Sequence, residues 1–133
     1  MITEDYVNFE IAKLLREKGF NVFVSSYYDI NGKLINGVAN WNYNAGSYHY
    51  SAPTLQMVMK WLREVHHLFI GCNPRLSFTD FYWITASIYK VRKKSSLYHI
   101  EDVDDYNGIA SFDGHSYEEV CKKAIKYCLE KLI

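Results

Sequence analysis

The chain has 133 residues, of which 49% are hydrophobic and 23% charged, and its 15 basic and 15 acidic residues give a formal net charge of zero. This length and composition predict one domain spanning residues 1–133, able to bury a core without a metal or a disulfide. They exclude a disordered chain, and the neutral balance differs from that of typical nucleic-acid-binding domains.

No signal-peptide pattern opens the sequence, and no apolar run approaches the ~18 residues that a membrane span requires. We therefore expect a cytoplasmic protein without membrane contact. Aromatic residues make up 17% of the chain and include 12 Tyr. This excess is typical of strands whose rings are half buried.

The first predicted helix is capped by Thr3, carries Glu4 and Asp5 in its opening turn, and ends at Gly19. Its core stripe consists of Val7, Ile11, Leu14 and Leu15. Phe9 points away from that stripe toward the polar side of the helix. Either another segment covers Phe9, or its ring belongs to a partner surface.

Short β-type runs follow. Residues 22–28 and 33–35 flank a turn signal at 29–32 and predict a β-hairpin. The pair Asn36-Gly37 indicates a second turn or a bulge. Residues 38–50 could contain a third strand, and its aromatic edge, together with Phe9, is a candidate surface for self-association: Tyr43, Tyr48 and Tyr50.

Residues 51–67 predict a central helix, because Pro53 suits a first helical turn and Ser51 or Thr54 can cap it. Its apolar stripe consists of Leu55, Val58, Met59, Leu62 and Val65, and Met57 and Trp61 widen it. This broad face makes the helix the main organiser of the predicted core.

The second half of the chain predicts four strands and a last helix. The strands cover residues 68–72, closed by Asn73-Pro74, then 81–89, 97–100 and 109–112. The last helix opens with a capping-box spacing between Ser116 and Glu119. Helix, strands, helix, strands, helix is the resulting order. It predicts an α+β domain with an antiparallel sheet of about five or six strands and three helices mainly on one face.

Few residues indicate catalysis or metal binding. His66, His67 and Cys72 lie close in sequence, but adjacent helical positions diverge by about 100° and no second ligand pair follows. Carboxylates at Asp102 and Asp104 lack the rest of a calcium loop. The scattered glycines form no phosphate-binding loop. We therefore predict no enzyme, no metal site and no cofactor. An enzyme using Cys72 with either histidine remains a third hypothesis.

Cys121 and Cys128 are predicted to be buried thiols, because they lie on the apolar stripe of the last helix. They would lie about 10.5 Å apart along that helix, too far for a disulfide between them. Cys72 has no C-x-x-C partner.

A basic run follows the longest predicted strand and ends it in a turn. Cations beside strand aromatics are one way to hold single-stranded nucleic acid, through phosphate contacts and stacking. The candidate contacts are Trp83, Tyr89, Lys90, Arg92, Lys93 and Lys94. Alternatively, this segment is an ordinary solvated hairpin end.

Three parts of the chain carry a resemblance: residues 3–7, residues 52–57 with 61–66, and Tyr117-Glu118-Glu119 with residues 124–129. They resemble a set of small uncharacterised proteins from gut-anaerobe bacterial genomes, often in prophage-like or mobile regions. The resemblance implies a bacterial mobile-element context and carries no functional residues with it.

The order of elements also resembles two known folds. A sheet followed by a helix opening Tyr-Glu-Glu is similar to HicB-type antitoxins, and the half from the central helix onward is similar in order to double-stranded RNA-binding domains. Glu118 and Glu119 replace the basic start expected of an RNA-binding helix. Fold analogy alone does not give function.

The sequence thus predicts a small accessory protein that acts through protein contacts, with a partner or with a second copy. The alternative is a nucleic-acid-binding module that uses the basic run.

Overall fold

The computed structural model describes residues 3–43, 48–77, 81–94, 97–101 and 109–133, without the side chains of 92–94 and 97–101. Three α-helices and seven strands lie in the described part. In chain order they are α1 Phe9–Glu17, β1 Val24–Tyr28, β2 Leu34–Ala39, β3 Tyr50–Ser51, α2 Leu55–His66, β4 Leu68–Leu76, β5 Tyr82–Lys94, β6 Leu97–Glu101, β7 Ala110–Gly114 and α3 Tyr117–Tyr127. A short π-helical turn, Cys128–Leu132, continues α3.

The α+β class and the order of elements are confirmed, but the prediction of a single sheet is wrong. The strands form two antiparallel sheets. The first sheet has the order β2-β1-β3. In the second, β4 pairs one edge of β5, while β6 and β7 pair different stretches of its other edge. Four strands separate α2 from α3, one more than in the double-stranded RNA-binding order.

The first helix begins later than predicted. Its N-cap is Asn8 and not the predicted Thr3. The side chain of Asn8 accepts a hydrogen bond from the N–H of Ile11 at 2.8 Å. The preceding residues are extended because Val7 donates to the carbonyl of Pro53 and Leu55 donates to that of Asp5. Backbone hydrogen bonds to the turn before α2 therefore keep residues 5–7 extended, although the local sequence predicted them to be part of the first helix.

The predicted hairpin is confirmed as β1 and β2. Asp29 accepts hydrogen bonds from two backbone N–H groups of the turn, and Gly32 has a φ of +81°. The pair Asn36-Gly37 lies inside β2, where the register with β1 shifts between Val24 and Ser26. It therefore forms a bulge and not a second turn.

The central helix α2 is capped by Thr54 and buries most of its predicted stripe. Val65 is the exception and is exposed. Ten residues at 100° per residue carry it about 80° away from Leu55. The helix ends at His67, which has a φ of 57° and passes directly into β4.

Strand β4 continues through Pro74, where the sequence predicted its end. The register from Leu68↔Lys90 to Leu76↔Tyr82 is uninterrupted. In this register the backbone N–H and C=O groups of the odd-numbered β5 residues point toward β4, because the N–H of Val91 donates to the carbonyl of His67. Those of the even-numbered residues point toward the other edge, where the carbonyl of Ile88 accepts from the N–H of Ile109. Pro74 lies opposite Ile84, an even position, so its nitrogen faces the outer edge, where a missing N–H costs no sheet hydrogen bond.

The last helix begins as its sequence predicts. Ser116 accepts from the N–H of Glu119, and the Glu119 carboxylate accepts from the N–H of His115 at 3.0 Å. Gly114 lies against this first turn, where a Cβ would be 2.8 Å from Val120.

One contiguous core joins the three helices to both sheets. On the second sheet it is built from the inward side chains Leu68, Ala86 and Ile88, which lie beneath α2 and α3. The first sheet contributes Val24, and Phe20 packs its ring edge-on against Trp61 at 5.2 Å. The opposite face of the second sheet carries none of the described helices.

Candidate functional site

The outer face of the second sheet carries the two predicted aromatic contacts. Trp83 and Tyr89 occupy odd positions of β5, opposite Arg75 and Phe69 of β4, and both rings are half buried. Thr85 lies between them and donates a 2.6 Å hydrogen bond to the Asp113 carboxylate of β7. The structure therefore brings both aromatic residues to one face.

The basic run does not form the predicted turn, because its backbone completes β5 and pairs with β6. Lys90 directly follows Tyr89, so its side chain leaves the sheet on the opposite face, with Ile88. The structure thus does not join Lys90 to the aromatic pair. The side chains of Arg92, Lys93 and Lys94 lie outside the described part, as do Asp102 and Asp104.

Phe9, one of the predicted interface residues, is covered by another segment. Its ring packs at 5.6 Å from Tyr28 and 5.5 Å from Tyr50. The ammonium of Lys13 lies 4.7 Å from the ring centroid on the polar side of the helix. The interpretation that another segment covers Phe9 therefore describes the fold, and the ring is half buried.

The other predicted interface residues divide into packed and exposed. Tyr50 contacts Phe9 and lies under the guanidinium of Arg16, whose carbon is 5.2 Å from the ring centroid. Tyr43 and Tyr48, which flank residues 44–47, are both exposed. Only these two remain available for a contact outside the molecule.

Sequence reasoning missed the tip of the β4–β5 hairpin. Leu76 is 80% exposed, Phe81 59% and Tyr82 58%. Leu76 pairs with Tyr82, and the N–H of Ser77 donates to the carbonyl of Phe81 at 2.8 Å. The sequence did contain a signal for this tip. Large apolar residues, Leu76 on one side and Phe81-Tyr82 on the other, flank a short polar connection. Because the predicted strand ended at Asn73-Pro74, Leu76 was not recognised as part of a hairpin.

The second feature missed is a thiol pair. The sulfurs of Cys72 on β4 and Cys121 on α3 lie 3.1 Å apart, and both cysteines are free. The hydrogen bond between the two thiols lowers the pKa of Cys72, while the same bond and burial raise the pKa of Cys121. Burial raises the pKa of Cys128 to about 12. The expectation of buried thiols therefore describes Cys121 and Cys128, whereas Cys72 is partly exposed.

The histidines do not join Cys72. His66 packs against Trp61 with ring centroids 4.7 Å apart, and its Nε2 is buried without a partner in the described part. Burial, and secondly the charge of His67, lower the pKa of His66. Five strand residues, about 16 Å, separate His67 from Cys72. No cluster of three metal-ligating side chains occurs among the described residues.

Comparisons of the chain with protein-family models, curated proteins and solved structures find no match. No helix within the described ranges is long and apolar enough to cross a membrane. The bacterial mobile-element setting remains a prediction, and function is inferred below from the chain's own residues.

Proposed function

We propose that this protein is a non-enzymatic binding module that contacts a protein partner with the tip of the β4–β5 hairpin. The observation that carries the proposal is the exposure of three large apolar residues in one small region: Leu76, Phe81 and Tyr82. Clusters of this kind are typical of interaction sites, because a folded monomer gains nothing from holding them in water.

The tip extends beyond the strands that flank its base. β7 pairs with β5 from Ile84 to Ser87, and β6 pairs with it from Lys90 onward. The last two rungs of the hairpin, Arg75↔Trp83 and Leu76↔Tyr82, thus lie beyond both neighbours. A two-stranded extension of this kind presents both of its faces to a partner.

The composition of the tip indicates the chemistry of the partner. Leu76 and Tyr82 leave the ribbon on one side, while Arg75 and Trp83 leave it on the other. An apolar pocket would receive the first pair, and a carboxylate beside an apolar surface would suit the second. Aromatic and Arg side chains are the usual anchors of such interfaces.

Substitutions at the tip test this proposal. The double variant Leu76→Ser/Tyr82→Ser should keep the circular dichroism spectrum and thermal transition of the wild type but lose the proteins that wild-type bait captures from a host lysate. The matched control is Phe23→Ser/Val38→Ser, which removes two comparably exposed apolar side chains, one just before β1 and one on β2.

Any captured protein is then purified and titrated against the three forms. Binding that weakens at least tenfold only in the tip variant supports the proposal. Equal binding by tip variant and wild type contradicts it.

A second candidate function, nucleic-acid binding, is favoured by one observation. Trp83, Tyr89 and Arg75 share the outer face of the second sheet, where bases could stack on the rings and a phosphate could pair with the guanidinium. Fluorescence anisotropy with labelled single-stranded oligonucleotides at about 50 and 200 mM salt measures this directly. Binding that falls with salt and is lost in Trp83→Leu supports it. No binding at tens of micromolar protein, or binding that Trp83→Leu leaves unchanged, contradicts it.

A further inference from the structure

We propose that Cys72 and Cys121 form a reversible dithiol/disulfide pair, a redox modification site that links β4 to α3. This inference does not depend on the hairpin tip or on its partner. It rests on the positions of the two sulfurs, on their unequal burial and on the elements that hold them.

The two sulfurs are already almost in bonding position. They lie 3.1 Å apart, and a disulfide bond is about 2.05 Å long. An approach of roughly 1 Å therefore completes the bond. Cys72 lies on the helix-facing side of β4, and α3 packs on this strand, so side-chain rotation provides the approach.

The two thiols have different environments. Cys121 is fully buried, and Cys72 is partly exposed. The pKa of Cys72 is lowered by its hydrogen bond to Cys121, which favours its thiolate. We therefore assign the reaction with an oxidant from solvent to Cys72, the less buried residue, and the resolution of the product to Cys121.

The side chain of Tyr117 forms a hydrogen bond with the resolving thiol of Cys121. Its ring opens α3 one turn before Cys121, and its hydroxyl accepts a hydrogen bond from Gln56 of α2 at 3.1 Å. A cleft of about 190 Å³ lined in part by Leu55, Gln56 and Tyr117 lies on this side of the molecule. Neither cysteine lines this cleft, so a small solute would reach the pair through the exposed part of Cys72.

A hydroperoxide is the class of oxidant that this arrangement fits. The Cys72 thiolate attacks one oxygen of hydrogen peroxide, an S–O bond forms as the O–O bond breaks, and the hydroxide that leaves is protonated to water, which leaves Cys72 as a sulfenic acid. Cys121 then attacks the sulfenic sulfur of Cys72, and the S–O bond breaks to release a second water. Two thiols lose two electrons, and one peroxide gains them. A small dithiol reverses the change by thiol–disulfide exchange.

The disulfide should raise the thermal stability of the protein. Cys72 lies in the middle of β4, and the bond to Cys121 closes a loop between residues 49 positions apart in the chain (121 − 72). Such a loop restricts the unfolded chain strongly, so the oxidised protein should melt about 5–15 °C higher than the reduced form.

The experiment treats the reduced full chain with hydrogen peroxide and follows free thiols, intact mass and melting temperature. We expect two of three thiols to disappear, the mass to fall by two hydrogen atoms, and non-reducing digestion to yield a peptide joining Cys72 to Cys121. Dithiothreitol should restore all three thiols. This mapping uses only the wild-type chain, so it does not depend on the folding of any variant.

Variants add a control. Cys128→Ala should still form the link, and Cys72→Ala should not. Oxygen addition at Cys72 without loss of the Cys121 thiol would overturn the proposal, as would a link that uses Cys128 or an unreacted protein at millimolar peroxide.

Discussion

Two regions of the molecule, the side of α1 that faces the first sheet and the tip of the β4–β5 hairpin in the second, differ in how their aromatic rings are covered. In the first, the rings near α1 are covered by neighbours from distant parts of the chain, as Phe9 is by Tyr28 and Tyr50. In the second, Phe81 and Tyr82 extend into solvent at the end of a hairpin that its neighbouring strands do not follow. These rings are therefore covered where a distant segment packs on them, as beside α1, and exposed where the strands extend past their neighbours, as at the tip of the β4–β5 hairpin.

The side chains at the edge of the first sheet show how that cover is made. Asn42 donates to the carbonyl of Phe20 and exchanges two hydrogen bonds with Ser51, so a loop residue holds the short strand β3 in place. These side-chain hydrogen bonds add to the short backbone pairing between β3 and β1. We therefore expect the position of β3 to depend on the side chains of Asn42 and Ser51.

The largest effect is expected from aromatic truncation. Phe20→Ala should lower the free energy of unfolding by about 3–5 kcal/mol, because it leaves a cavity beside Trp61. Phe81→Ala removes a ring of the same size from solvent and should change it by less than about 0.5 kcal/mol. Urea unfolding of both variants measures the contrast. Equal losses would show that the hairpin tip is packed and not exposed.

An intermediate effect is expected from glycine. Gly32 has a φ of +81°, and a Cβ would lie 2.9 Å from the Phe9 ring, so Gly32→Ala should destabilise the protein by about 2 kcal/mol. Gly71 of β4 has nothing within 4 Å of the corresponding position. Gly71→Ala should therefore stay within about 0.5 kcal/mol of the wild type. Thermal unfolding compares the two, and a larger loss in Gly71→Ala would contradict the difference between the sheets.

The smallest effect concerns an ion pair between α1 and α3. Lys126 lies 2.9 Å from Glu10, and this hydrogen bond raises the pKa of Lys126. A raised pKa means that the stabilisation is complete below the unfolded pKa of about 10.5 and is lost as pH rises through the folded pKa. Both groups are exposed, so the coupling should be small and should shrink in high salt.

A double-mutant cycle with Glu10→Gln and Lys126→Met, followed by urea unfolding at pH 7 and pH 11, measures this coupling. Coupling that persists unchanged at the higher pH would show that the contact is not ionic.

Local signals made most of the helices and the first hairpin predictable. Thr54 and Ser116 cap the helices that their sequences indicate, and Asp29 closes the predicted turn. These features depend on residues within about four positions of one another, which a sequence displays directly.

What the sequence concealed depends on contacts between distant segments. Asn8 replaces Thr3 as a cap because residues 5–7 pair with the turn before α2. The thiol pair joins positions 49 apart (121 − 72), and no spacing rule connects them. From the sequence, Pro74 indicates the end of a strand. Only the structure shows that its nitrogen faces the outer edge of the sheet, where a proline is tolerated. Candidate sites were therefore harder to predict than elements.

His67 gives the molecule a mechanical property. Its N–H donates to the carbonyl of Leu62 at the end of α2, and its own carbonyl accepts from the N–H of Val91 of β5. A single left-handed residue therefore connects the helix directly to the hairpin, without a loop between them. We therefore expect a displacement of β4 to be transmitted to α2 through His67, in addition to the contacts that β4 makes with β5 and α3.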